Sequence, residues 1–144
     1  MADPLRYPVS RVRLDVPTDL AARTARERLS SPALRAFFNI MRRWSIRDED
    51  ARALLGGVSN GPFYEMKRHP DRRLETDRLT RVSYLIGIFK ALNILHGRVL
   101  ADEWIRLPNA NPIFGGQTPL DYMIRGGLPA MQTVRRLVDA RRAG

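Results

Sequence analysis

From Leu34 onward, apolar residues recur at spacings of three and four, the mark of helices that bury one face. Leu34, Phe37, Phe38 and Met41 form the first such stripe, after Ser31-Pro32. That pair suits a helix start, because the serine oxygen accepts from free N–H groups and proline loses nothing at the first position. The acidic run Asp48-Glu49-Asp50 suits a first helical turn, Ala51, Leu54 and Leu55 supply its inner face, and Gly56-Gly57 stops it. Ser59 is the expected N-cap of a third helix carrying Phe63, Tyr64 and Met66, ended by Lys67-Arg68-His69 and Pro70. The longest stripe is Leu79, Val82, Ile86 and Phe89, broadened by Leu85, Ile88 and Leu92. It predicts a central helix over 77–95, closed by His96-Gly97. A short helix follows over 98–107, ended by Pro108. Stretch 111–127 then gives a turn-rich entry, a capped start at Thr118-Pro119-Leu120-Asp121 and a Gly126-Gly127 stop. Pro129 opens the last helix, with Met131, Val134, Leu137 and Val138 on one face and Arg135, Arg136, Arg141 and Arg142 elsewhere.

Upstream the pattern is weaker. Val12, Leu14 and Val16 alternate with charged residues, which fits a short strand or an extended arm, and Thr18-Asp19 would cap a weak helix over 21–29. The chain therefore divides into a partly ordered arm (1–30), a helix-turn-helix domain (31–97) and a helical C-terminal unit (98–144). The predicted fold class is all-α, a helix-turn-helix bundle fused to that small unit. Three short helices with a glycine turn between the second and third give the helix-turn-helix outline.

Composition narrows the chemistry. The 144 residues carry 44% hydrophobic content, enough for a real core. No cysteine is present and only two histidines, His69 and His96, so no metal site is expected. No signal-peptide pattern or membrane-length apolar run stands out, and the expected location is the cytoplasm. The net charge of +10, almost all from arginine, suits nucleic acid or an acidic protein surface. No catalytic constellation appears. The serines lack a nucleophile elbow, Gly115-Gly116-Gln117-Thr118 lacks the spacing and ending of a phosphate loop, and Asp102-Glu103 has no matched partner in the sequence. Neither enzyme activity nor a cofactor is expected.

Several motifs, in order, resemble the Xre/ParS/MbcA-type antitoxins, bacterial partners of RES-domain toxins. They are Trp44-Ser45-Ile46, Ala53-Leu54-Leu55-Gly56, Phe63-Tyr64 with Lys67-Arg68, Arg81-Val82-Ser83-Tyr84-Leu85-Ile86-Gly87-Ile88, and Asn111-Pro112-Ile113-Phe114-Gly115-Gly116-Gln117-Thr118-Pro119-Leu120-Asp121 followed by Val134-Arg135-Arg136-Leu137-Val138-Asp139-Ala140. The resemblance implies an antitoxin, expected as a homodimer within a larger toxin–antitoxin complex, whose C-terminal half binds a NAD-degrading RES toxin and covers its active-site cleft. It implies further that the helix-turn-helix half binds operator DNA and represses its own operon. Ser59, Asn60, Tyr64, Lys67 and Arg68 are the DNA-contact candidates, and Met131, Arg135, Arg136, Arg141 and Arg142 the toxin-contact candidates. The chain departs from the family at the third helix, where Asn60-Gly61-Pro62 fills a turn usually polar or basic and Met66 stands where tryptophan is common. Glycine has no side chain to read a base edge, so weak or unusual base readout is expected. The competing reading is a dimeric helix-turn-helix regulator without a toxin partner.

Overall fold

The computed structural model describes residues 22–143, so the arm expected over 12–16 lies outside the described residues. Five α-helices and one 3-10 turn make up the fold: α1 (Arg23–Arg43), α2 (Asp48–Leu54), α3 (Asn60–Arg68), α4 (Thr76–Trp104), the 3-10 turn Pro112–Phe114, and α5 (Pro119–Ala143). No strand occurs among the described residues, in keeping with the all-α expectation.

α1 corrects the sequence reading. Ser31-Pro32 is not a helix start; Pro32 lies inside one continuous helix. The apolar stripe explains why. Ala25, Leu29, Ala33, Ala36, Phe37 and Ile40 are all buried along one side of α1, so burial against the core continues across the proline and outweighs its local cost. Ser30 is also absorbed: its hydroxyl donates to the Arg26 carbonyl at 2.6 Å and accepts from the Leu74 amide at 2.8 Å. Residues 22–30, expected within the arm, are thus the first turns of α1 and its lead-in.

Both turns that follow end helices in the same way. After α1 the amides of Ser45 and Ile46 donate to the Arg42 and Met41 carbonyls, with Ser45 at φ 55°. After α2 the amides of Gly56 and Gly57 donate to the Ala53 and Arg52 carbonyls, with Gly56 at φ 99°. These are paired C-terminal closures that need a left-handed residue. Ser59 does occupy the N-cap position of α3, but its side chain makes no capping bond.

α4 is the centre of the molecule. Leu79, Val82, Leu85, Ile86, Ile88, Phe89, Ala91 and Leu92 are buried all round it, as the wide stripe predicts. By length and composition it is apolar enough to cross a membrane, but its packing between α1 and α5 identifies it as a core helix. Gly97 breaks it at φ 71°, ψ 175°, where the His96-Gly97 stop was expected. The break turns the distal segment, 98–104, away from the axis of the proximal one. A straight helix would separate Arg81 from Ile105 by about 36 Å. Yet the Leu120 amide donates to the Ile105 carbonyl at 2.9 Å, and a Cβ on Gly127 would lie 3.9 Å from the Arg81 guanidinium. Only about 11 Å of helix joins Leu120 to Gly127. The two segments of α4 therefore meet at a sharp bend, with Gly97 at its tip.

One hydrophobic cluster runs through α1, α2, α3, both segments of α4 and α5. Trp44 anchors it, fully buried with its ring 6.1 Å from that of Phe89.

Candidate functional site

The C-terminal half is built on a loop whose polar side chains hold their own backbone. Asn109 Oδ1 accepts from the Asn111 amide and Asn111 Oδ1 from the Ile113 amide, at 2.9 and 3.1 Å. This wraps the turn so that Phe114 points inward, edge-on to Trp104 and Tyr122 at 6.0 and 5.3 Å. Thr118 then caps α5 as expected, its hydroxyl accepting from the Asp121 amide at 3.0 Å. Gly127 breaks α5 at φ 65°, ψ −146°, a backbone region nearly closed to side-chain-bearing residues. The stop expected at Gly126-Gly127 is thus a change of direction that aims the last segment, 128–143, along α4.

That direction sorts the toxin-contact candidates. Met131 is fully buried with Val134 and Val138 at helical spacing. It belongs to the core, which corrects its place among partner contacts. Arg135 is also drawn inward. Its Nε donates to Asp139 at 2.8 Å, and its guanidinium lies over Gly87 so closely that a Cβ there would meet it at 1.9 Å. Gly87 therefore makes room for Arg135 on α4. Arg136, Arg141 and Arg142 are exposed.

A buried pair fastens this half to the first. Arg43 Nε, at the end of α1, lies 2.5 Å from Asp102 Oδ2 on the distal segment of α4, with side chains only 12% and 18% exposed. Asp102, without a matched partner in the sequence, is thus paired across the fold. Sequence reasoning also missed the exposed aliphatics Ile94, Val99 and Leu100 around the Gly97 tip. Their signal was present: adjacent apolar residues such as Val99 and Leu100 point about 100° apart on a helix, and the buried face here belongs to Ala101 and Ile105.

On α3, Ser59, Asn60, Tyr64, Lys67 and Arg68 are all exposed, with Gly61 and Pro62 beside them. Phe63 and Met66 are buried beneath. The α3 cations are locally matched. Lys67 Nζ donates to Asp48 at 3.1 Å and sits 5.9 Å from the Phe63 ring centroid, while Arg68 lies 3.5 Å from Glu65. Among the described residues no cluster of three or more histidines and carboxylates is placed to hold a metal.

This geometry defines an all-helical protein whose C-terminal half packs into a core shared with the first half. Residues 91–144 match the antitoxin Xre/MbcA/ParS C-terminal toxin-binding domain. The uncharacterized protein y4oB of Sinorhizobium fredii (strain NBRC 101917 / NGR234) is 38% identical over 112 residues, covering 77% of this chain and 84% of that protein. No solved structure gives a significant match. The chain belongs to the Xre/MbcA/ParS antitoxin family, and its role is that of an antitoxin in a toxin–antitoxin pair.

Proposed function

We propose that this antitoxin neutralises a RES-type, NAD-degrading toxin by covering its active-site cleft, and that it also binds operator DNA through α3 to regulate its own operon. The observation that carries the first part is the match of 91–144 to a toxin-binding domain, in a segment whose exposed end bears Arg136, Arg141 and Arg142. A cleft that admits an anionic dinucleotide can be closed sterically by a rigid helix. Arginines on that helix would pair bidentately with acidic groups on the rim. With Met131 and Arg135 engaged within the chain, these three arginines carry the polar part of the contact.

The DNA reading rests on the exposure of α3 after a glycine turn, with Asn60 open for a base edge and Tyr64 for phosphate. In this reading the chain acts in the cytoplasm, where NAD and the operator are found, and as a homodimer able to span two half-sites.

Co-expression with the RES-domain protein encoded beside this gene tests the first part. Growth and cellular NAD should be restored and a stable complex should copurify. Persistent NAD loss with no complex overturns it. Gel shifts test the second part: its own promoter should be preferred over random DNA, and equal affinity for both overturns the repressor role.

A further inference from the structure

We infer that the tip of the α4 bend at Gly97, carrying Ile94, Val99 and Leu100, is the apolar anchor by which this chain grips its toxin. The inference rests on the antitoxin reading above and deepens it, since it assigns the gripping surface to a part of the fold distinct from the arginine end of α5.

Three observations lead there. The tip is geometrically defined. Gly97 turns the chain at φ 71°, and Ile94, Arg98, Val99 and Leu100 around the turn are all exposed. It is also unusually apolar for solvent: Ile94 is 54%, Val99 71% and Leu100 60% exposed. Large aliphatics this open, grouped around one bend, mark an interaction surface. Finally, their distribution points to the occupant. The exposed large hydrophobics among the described residues are Tyr64, Ile94, Val99, Leu100, Leu107 and Ile113, and all but Tyr64 fall inside the stretch 91–144 that matches a toxin-binding domain.

A second copy of this chain fits the tip poorly. A stable dimer needs about 800 Å² buried on each partner. Ile94, Val99 and Leu100 meeting their copies offer far less than that on each chain. In this inference the toxin supplies an apolar recess beside its cleft that takes these side chains. Seated there, Val99 and Leu100 would be fully desolvated in the middle of the interface, the position from which a few residues dominate affinity.

The test uses the full chain and the toxin encoded beside its gene. Val99→Asp and Leu100→Asp are made singly, with Tyr64→Asp as an exposed hydrophobic outside the tip. Titration calorimetry reads toxin affinity, and light scattering after gel filtration reads the mass of the free chain. Each tip variant should weaken toxin binding by about tenfold or more, with the melting temperature and free mass unchanged, while Tyr64→Asp leaves affinity alone. Val99→Ile should keep wild-type affinity. Tip variants that bind toxin within about twofold of wild type overturn the inference. So does a halved free mass in the tip variants, whatever their toxin affinity, because a second copy then covers the tip. If the wild-type chain itself fails to bind, the RES-toxin reading falls first, and that outcome is read from the wild-type arm alone.

Discussion

Arg43 and Asp102 meet at a place water barely reaches, and the consequence is one of individual atoms. Their side chains are 12% and 18% exposed, so water solvates neither charge well and the pairing offsets part of that cost. Replacing Asp102 with Asn keeps the shape but removes the countercharge, and should cost about 2–3 kcal/mol, read as a lowered urea midpoint with unchanged slope. A midpoint within error of wild type would mean the pair is solvated in solution. Asp71 illustrates the opposite environment. It is exposed, and the Ser31 hydroxyl and the Arg35 guanidinium bound to it hold its carboxyl below the usual carboxylate range. A lowered folded value means the tether stabilises the fold above the unfolded carboxylate pKa, about 3.9, and is lost as pH falls through the folded value. A carbon-detected NMR titration should show Asp71 protonating below the usual carboxylate range, and Ser31→Ala should bring it back toward that range. Neither contact was legible in the sequence. Arg43 and Asp102 stand 59 positions apart and Ser31 and Asp71 stand 40 apart, so spacing rules for one helix say nothing about them. Met131 was misplaced for a related reason: helical spacing put it with Val134 and Val138, and that inner face, rather than its neighbourhood to arginines, fixes where it goes.

The elements were legible wherever punctuation and periodicity agreed. Thr118-Pro119 caps α5, Gly97 turns α4 and Gly127 turns α5, each at the expected place. The reading failed where they conflicted. Ser31-Pro32 is a strong local start signal, yet α1 runs through it because the buried stripe on either side is continuous. A proline there still leaves the Arg28 carbonyl without its helical amide donor, so Pro32→Ala should raise stability by about 1–3 kcal/mol, measurable as a higher urea midpoint. A loss of stability would show that the ring's own packing outweighs the missing hydrogen bond. Gly127 is the reverse case. At φ 65°, ψ −146° an alanine is strained by about 1–3 kcal/mol, and the relief available is to re-aim residues 128–143. Gly127→Ala should therefore weaken toxin binding even though it removes no exposed side chain. Unchanged affinity in a destabilised variant would show that the direction of the last segment does not matter to the partner.

At the scale of the whole molecule, the two halves share one core, and this changes what their separation can test. The sequence placed a boundary between 97 and 98, a natural place to cut for a DNA-binding fragment. That boundary was drawn from local stops, and no local signal reports which faces two elements bury against each other. The cut would remove Ala101, Ile105, Phe114, Met123, Met131, Val134 and Val138, all buried in the cluster that also holds Trp44, Leu85 and Phe89. It would also strip Asp102 from Arg43. What remains would expose much of α4 to water, at about 25 cal/mol for each Å² of apolar surface, a loss large against the 5–15 kcal/mol that typically holds a domain together. A chain ending at residue 97 should therefore show no cooperative thermal transition and a collapsed range of amide proton shifts. Its failure to bind toxin or DNA would then follow from unfolding rather than from a missing contact. A cooperative melt in that fragment would instead show that α1 to α3 and the proximal part of α4 fold alone, and that the C-terminal half is an addition to them rather than part of their core.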